Sequence, residues 1–370
     1  MSSASTQQGH VGVEMVIPLK WPDGLAEKVA EMTRYLERIG SSVAAITVVD
    51  GSGPVALEQH RRAWGRLARV VPPDHGVISQ VFGHGPRPGR KTPSSHLNGK
   101  VLGALTGIHA SRHELVILAD DDVRHTGDSI TRLVSALAGA DLVRPVNLYD
   151  TWPWQAQWDG ARSLMNIALG TDWPGTFGLR RSAVLTCGGW SADVLFENLE
   201  LWRTVKAAGG RVVGLGDVVV PRQAPEITQF WSQRVRQAYD DLAQPGRLLV
   251  ELGILPMVVL GARRPASGAG MLALAVLVAA WGRRRVGAGG VPRTVPLWAP
   301  VWVLERGLCI WVAMASRLRG GARYHGGRLP RAAHSESELC VRLVARERPR
   351  QAEDNSTPGE GPVTGKQSND

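Results

Sequence analysis

The apolar positions of this chain switch repeatedly between two periods. Val13-Glu14-Met15-Val16-Ile17-Pro18 reads as a short strand halted by proline. Leu25, Val29, Met32, Leu36 and Ile39 then recur at helical spacing, and Gly40 marks a stop. Val43 to Val49 is a second apolar, β-branched run, closed by the turn residues Asp50-Gly51-Ser52-Gly53. Residues 98–112 have helical character, and Leu115 to Ala119 is another buried strand. Thr131, Val134 and Leu137 predict a helix after it, and Asp141-Leu142-Val143 opens the next strand. Strands alternating with helices predict an α/β fold with a mostly parallel sheet flanked by helices. In such sheets ligands sit beyond the carboxyl ends of strands. Pro18-Leu19-Lys20, Asp50-Gly51-Ser52 and Asp120-Asp121-Asp122 all fall at those ends, so three strand ends are expected to converge on one pocket.

Past residue 150 the pattern changes. Trp152, Trp154, Trp158, Trp173 and Trp190 crowd together, which suits either sugar and lipid contacts or a tryptophan-rich packing layer. From Leu248 the chain is strongly apolar in three pieces. Residues 248–262 are few and include Glu251 and Pro256, and residues 267–281 are uninterrupted but also short. Residues 294–315 are long enough to span a bilayer, which takes ~20 apolar residues, although Glu305-Arg306 interrupts them. The first two pieces suit a re-entrant or interfacial hairpin; a buried helical subdomain is the alternative reading. Arg263-Arg264, Arg283-Arg284-Arg285 and Arg317/Arg319 flank the pieces on both sides, so the positive-inside rule does not orient the individual loops.

Charge sharpens this division. The net charge is +10, but residues 261–350 hold sixteen Arg, no Lys and four Glu, while residues 1–260 are nearly neutral. A neutral body argues against a nucleic-acid partner, and the basic C-terminal stretch favours a membrane surface. The three cysteines are far apart and form no Cys-x-x-Cys pair, so they suggest neither a disulfide framework nor a zinc site. Residues 1–12 are polar, so no secretory signal peptide is expected there.

The chemistry centres on three consecutive aspartates at a strand end. In an extended chain Asp120 and Asp122 share a side and Asp121 turns away. Two carboxylates at i and i+2 can hold one divalent cation, Mg²⁺ or Mn²⁺, whose shell a diphosphate completes. Asn98-Gly99-Lys100 opens the preceding helix, and a helix N-terminus with a lysine suits phosphate. Asp50 ends the second strand, where a carboxylate can accept hydrogen bonds from a base or ribose. Each motif also has a plain reading as turn chemistry or a solvated charge.

Taken together and in order, these motifs resemble glycosyltransferase family 2, the inverting nucleotide-sugar transferases with the GT-A fold. The resemblance runs from residue 13 to about 240. It rests on Val-Ile-Pro at 16–18, Val-Val-Asp-Gly-Ser at 48–52, Asn-Gly-Lys at 98–100 and Ala-Asp-Asp-Asp-Val at 119–123. Gly175 to Arg181 resembles the segment before the family's acceptor site. Phe196-Glu197-Asn198-Leu199-Glu200-Leu201 is similar to its Glu-Asp motif, and Gln233-Arg234-Val235-Arg236 to the Gln-x-x-Arg-Trp motif of its membrane-associated branch. The pattern is closest to ceramide glucosyltransferase-like and hopanoid-associated transferases. Tyr324-His325-Gly326-Gly327-Arg328 resembles the short stretch they carry after their hydrophobic segments. Two positions depart from the family: Asn198 stands where its second carboxylate would be, and Gln237 where its Trp would be.

The resemblance implies a GT-A catalytic domain at 13–246, membrane-associated helices, including a transmembrane one, at 247–316, and a basic juxtamembrane segment at 317–346. Disordered ends are expected at 1–12 and 347–370. It implies metal-dependent, inverting transfer of a sugar from a nucleoside diphosphate sugar to a lipid or lipid-linked hydroxyl, at the cell membrane and on its cytoplasmic side. Pro18, Asp50, Ser52, Asn98, Lys100, Asp120 and Asp121 would contact the nucleotide sugar, and Asp120 and Asp122 the metal. Glu197 would be the base, with Asn198, Gln233 and Arg236 beside it. Asn198 motivates an alternative, a catalytically impaired, membrane-anchored nucleotide-sugar-binding protein.

Overall fold

The computed structural model describes residues 12–77, 97–261, 263, 265–324 and 327–354. Seven strands form one sheet in the order β3-β2-β1-β4-β6-β5-β7. They are β1 Val13–Leu19, β2 Ala45–Asp50, β3 Arg69–Val71, β4 Leu115–Ala119, β5 Leu142–Tyr149, β6 Thr176–Arg180 and β7 Val212–Arg222. Helices α1 Ala26–Gly40, α2 Pro54–Trp64, α3 Gly99–Ala110, α4 Gly127–Leu137, α5 Trp154–Ala168, α6 Arg181–Thr186, α7 Glu197–Ala207 and α8 Ile227–Asp240 connect and flank them. The expected α/β class is the one found. All pairings are parallel except those of β6, which lies antiparallel between β4 and β5. The strand order reverses between β1 and β4, which opens a crevice at their carboxyl ends.

The local causes are legible residue by residue. Every residue of β1 is buried, because helices cover both faces of the sheet there. Helix α1 buries Val29, Met32, Tyr35, Leu36 and Ile39 along one stripe, worth about 1.5–3 kcal/mol for each large apolar side chain. Helix α3 is buried on nearly all sides and lies tight on β1; a Cβ at Gly107 would run into the Val16 side chain. Asn98 caps α3 by accepting from Lys100 N at 3.1 Å, which fixes where Lys100 starts the helix. Strand β6 has no clear periodic signature of its own. It is held by pairing on both sides, with Gly178 facing Val143 where a Cβ would not fit.

Helices α9 Pro245–Gly261, α10 Pro265–Arg285 and α11 Ala299–Leu318 follow, then a hairpin of β8 Ala322–Tyr324 and β9 Gly327–Leu329, and α12 Glu336–Asp354. The stretch Val295–Leu318 is long and apolar enough to cross a membrane by length and composition. It is apolar on both its buried and its exposed face, with its charged pair turned inward. Arg306 is fully buried and Glu305 half-buried, while Val301, Leu304, Leu308, Trp311 and Val312 are exposed at i+3/i+4 spacing. Arg306 pairs with Asp241 at 3.0 Å and Glu305 with Arg234 at 3.5 Å, both partners lying in the α/β body. Exposed Leu274, Leu277 and Trp281 on α10 and Leu249, Met257 and Leu260 on α9 extend the same character. Helix α10 packs on α5, and α11 on α8 and α9.

Two expectations change here. The segment 317–346 is not a free juxtamembrane stretch: Val194 bridges Arg331, buried His334 pairs with Glu200 at 2.7 Å, and α12 packs on α7. Residues 347–354 continue α12 through Pro349, with Arg, Gln, Ala and Glu around it favouring helix. Residues 1–11, 355–370, His325 and Gly326 lie outside the described residues. The tryptophans of 150–190 mostly pack: Trp154, Trp158, Phe230 and Trp231 form edge and tilted ring contacts, and Trp190 is in the core. Trp173 alone of that group reaches the cleft described next.

Candidate active site

A cavity of about 710 Å³ opens at the carboxyl ends of β1, β2 and β4. Pro18, Leu19 and Lys20 line it from β1, Val49 and Gly51 from β2, and Asp120, Asp121 and Asp122 from the turn after β4. Lys100 of α3, Glu197 and Asn198 of α7, Arg222 of β7, and Gln233 and Arg236 of α8 complete that end. The convergence expected of the three strand ends is present, and it gathers residues separated by more than 200 positions.

The three aspartates do not divide as simple strand alternation implies. The chain turns at Asp121, so each carboxylate meets a different cation. Asp120 lies 2.7 Å from Lys100 Nζ, and the same ammonium lies 2.8 Å from Glu197. Asp121 accepts from Trp21 Nε1 and from Lys28 Nζ at 3.1 Å. Asp122 Oδ2 accepts from Arg222 Nη2 at 2.5 Å, and its Oδ1 is buried without a hydrogen-bond partner. Gly175 packs directly against Asp120, where a Cβ would collide with the carboxylate.

Burial and charge oppose each other throughout. Burial works against the Lys100 ammonium, but Asp120 and Glu197 outweigh it and hold its pKa above the ordinary value. Burial pushes the Asp120 carboxyl upward; Lys100 opposes this, and Asp122 adds to it. Glu197 is held below the ordinary range: burial raises it, but Lys100 and Arg236 together prevail. Arg222 is held firmly charged, because Asp122 offsets the desolvation.

Asp122 Oδ1, an orphaned acceptor beside a second carboxylate, fits a divalent cation. Among the described residues no group of three or more His, Cys, Asp or Glu could hold a metal alone. Asp120 and Asp122 would therefore share the ion with substrate oxygens, as Mg²⁺-type sites do.

Several expected residues stand behind the wall rather than on it. Asp50 is buried; it accepts from Ser52 N at 2.9 Å and pairs with buried His60 at 2.6 Å, so its carboxylate is spent inside the fold. Ser52 Oγ accepts from Trp21 N at 2.9 Å. Asn98 is buried, donates to Glu197 Oε2 at 3.3 Å and accepts from Tyr324 Oη at 2.9 Å. These three position the cleft and do not line it. Asn198 lines it, with its Nδ2 donating to Pro174 O at 2.9 Å. Arg222, Tyr324 and Asp240 also line the cleft. Of these, only Tyr324 lay in a motif; Arg222 follows the apolar run Val218-Val219-Val220-Pro221, a strand end that could have been read like the other three.

No family model matches the chain. No curated protein matches it either. Among solved structures, a mannosyltransferase from Pyrobaculum calidifontis in complex with GDP-mannose and Mn²⁺ aligns over 84% of this chain and 88% of its own, with 16% identity and a TM-score of 0.47. A glucosyl-3-phosphoglycerate synthase from Mycobacterium tuberculosis, with Mn²⁺, UDP-glucose and phosphoglyceric acid, aligns over 60% and 74% with 16% identity and a TM-score of 0.38. A mannosyl-3-phosphoglycerate synthase from Rubrobacter xylanophilus aligns over 61% and 74% with 14% identity and a TM-score of 0.36. These overlays are loose, and the functional reading rests on the cleft itself.

Proposed function

We propose that this chain is an inverting glycosyltransferase that moves a sugar from a nucleoside diphosphate sugar to a hydroxyl of a lipid or lipid-linked acceptor at a membrane. The observation that carries the reading is the charge pattern at the strand-order reversal. Asp122, with one oxygen unpaired, and Asp120 stand there beside three cations, Lys100, Arg222 and Arg236. A diphosphate needs such a set: cations for its oxygens and carboxylates for its metal. A bound divalent cation would act as a Lewis acid, neutralising charge on the departing diphosphate. Lys100 at the start of α3 and Arg236 would hold the remaining phosphate charge, while Trp21 and Lys28 hold Asp121. Attack from the side opposite the diphosphate inverts the anomeric centre through an oxocarbenium-like state, by analogy with glycoside hydrolysis.

The apolar helices support the membrane part. Their exposed stripes are hydrocarbon, and between residues 262 and 323 the only acidic residue is Glu305, which is turned inward. Arg263, Arg284, Arg293, Arg317 and Arg319 are exposed near the ends of these helices and their connecting turns. Apolar faces bordered by arginine suit a helix layer lying in the plane of an anionic leaflet. The ion pairs of Glu305 and Arg306 to the body favour that posture over a crossing, with the body on the cytoplasmic side.

Thermal-shift measurements with UDP-glucose and GDP-mannose, with and without Mn²⁺, test the donor site. A donor at 100 times its Kd should add about 2.7 kcal/mol to apparent stability. One donor should stabilise the chain only with Mn²⁺, and Asp122→Asn should abolish the shift. Indifference to both donors overturns the reading.

A further inference from the structure

Transfer releases a proton from the acceptor hydroxyl, and the carboxylates at the donor end are poorly placed to take it. Asn198 is an amide. Glu197 is tied to Lys100 at 2.8 Å and to Asn98 at 3.3 Å and is held ionised, which makes it a weak base. Asp120 and Asp121 are also paired with cations, and Asp122 with Arg222.

One further face of the cavity is built differently. Gln229, Gln233, Arg236, Gln237 and Asp240 recur at helical spacing on α8, and all five line the cavity. Two acceptor atoms on this stripe, Gln237 Oε1 and Asp240 Oδ1, are buried and have no hydrogen-bond partner. Buried acceptors without donors are costly, so a ligand bearing O–H groups is the natural complement. A lone hydroxyl on a hydrocarbon surface would leave at least one of them unpaired.

We propose that Asp240 on this α8 stripe is the proton acceptor of the transfer, and that the acceptor presents a polyhydroxyl group, such as a sugar or polyol head, to Asp240 and Gln237. The assignment rests on the glycosyl-transfer reading above. In the step, the acceptor oxygen forms its bond to the anomeric carbon. The bond from that carbon to the diphosphate oxygen breaks, and its electron pair leaves with the diphosphate. The hydroxyl proton passes to the Asp240 carboxylate and then to solvent. Gln237 Oε1 accepts from a neighbouring hydroxyl and orients the group.

The surroundings of Asp240 suit a base. Burial pushes its carboxyl up to about 8; Arg236 on its own helix opposes this, Glu197 of α7 and the adjacent Asp241 add to it, and Arg306 of α11 opposes it. A carboxylate that ionises near that pH is a stronger base than one at the ordinary value. It must be ionised to act, so the rate should rise with pH through about 8.

The test compares wild type, Asp240→Asn and Asp240→Glu, with UDP-glucose and GDP-mannose plus Mn²⁺ as donors. Donor binding is measured by calorimetry. Nucleoside diphosphate release is followed from pH 6 to pH 9.5 with octyl glucoside or octanol as acceptor. Wild type should use octyl glucoside and not octanol, with a rising limb near pH 8. Asp240→Asn should bind the donor as wild type does, lose at least 100-fold in rate and lose the limb. Asp240→Glu should keep activity with a displaced limb, which serves if the asparagine variant does not fold. A rate within threefold of wild type in Asp240→Asn, an unmoved limb in Asp240→Glu, or equal use of octanol overturns the assignment while leaving the donor site intact. Failure of wild type to bind either donor removes the transfer reading, and this assignment with it.

Discussion

Arg306→Met tests how the apolar helices are joined to the body. Arg306 is fully buried on α11, and its guanidinium lies 3.0 Å from Asp241 and 4.0 Å from Glu251. Removing one member of a buried ion pair costs about 3–5 kcal/mol, because the partner charge stays behind without compensation. Here Asp241 and Glu251 would still keep Arg247, at 3.0 Å and 2.9 Å, so the loss should fall at the low end, about 3 kcal/mol. Methionine replaces the aliphatic stem, so little of that loss is packing. Glu251 adds a pH signature. Burial and Asp241 raise its carboxyl to about 7, against Arg306 and Arg247. Without Arg306 it rises further and keeps its proton at neutral pH, which relieves the defect. The defect should therefore be smaller at pH 6 than at pH 8.5. Urea unfolding followed by tryptophan fluorescence reads it. The double variant Arg306→Met/Asp241→Asn should recover to within about 1 kcal/mol of wild type, since replacing both partners by neutral groups removes the stranded charge. A loss below about 1 kcal/mol at pH 8.5, a gain in stability, or strict additivity in the double variant refutes the claim that α11 is pinned to the body.

Leu308→Glu and Trp311→Glu, on the exposed stripe of α11, should leave the fold intact and weaken binding to anionic vesicles. Withdrawing each side chain forfeits about 1.5–3 kcal/mol, roughly 10–100-fold in partitioning. Unchanged co-sedimentation of both would refute the membrane face. Gly175→Ala should force Asp120 aside and reduce Mn²⁺-dependent donor binding at least tenfold, with circular dichroism unchanged; calorimetry decides it. Asp240 keeps its proton in the folded chain up to about pH 8 and loses it near 4 when unfolded, so stability should fall as pH rises between those values. Thermal melts across that range should show the decline, and Asp240→Asn should flatten it; an equally steep decline in the variant would count against the buried carboxyl.

How far the sequence could be read depended on whether each signal was local. Strands β1, β2 and β4 announced themselves as apolar runs ending in turn residues, and their carboxyl ends do meet. Asp120 and Asp122 were readable as a pair because they share one turn. The partner of Asp122 was not, since Arg222 comes from the far edge of the sheet and pairing across 100 positions leaves no spacing to detect. Asp50 failed for the opposite reason. A turn aspartate looks the same from sequence whether it faces a ligand or its own core, and His60, one helix later, turns it inward. Strand β6 was hidden because tertiary pairing on both sides, rather than alternation, makes it a strand. Glu305-Arg306 looked like a defect in a membrane span. Its meaning required the positions of Asp241 and Arg234, which only folding supplies.

The same folding ties the apolar layer to the cleft. The chain leaves the cleft through α8, builds the apolar layer from α9 to α11, and returns through the β8–β9 hairpin to the cleft it left. Tyr324 on that hairpin donates to Asn98 Oδ1, and Asn98 in turn caps α3 and holds Glu197. Arg236, beside Glu197, lies over the Tyr324 ring at 5.6 Å from its centroid. Any shift of α11 relative to the body would therefore pull on the cleft at two points: through Arg306 and Asp241 next to Asp240, and through Tyr324 at Asn98. Seating the apolar face in a leaflet would load those two connections together. Lys100, which Asn98 seats at the start of α3, and Arg236, which lies over Tyr324, stand on that path, so the diphosphate end of the cleft would feel the load as well. Vesicles should then change donor binding and acceptor use together, and calorimetry with and without them would show it.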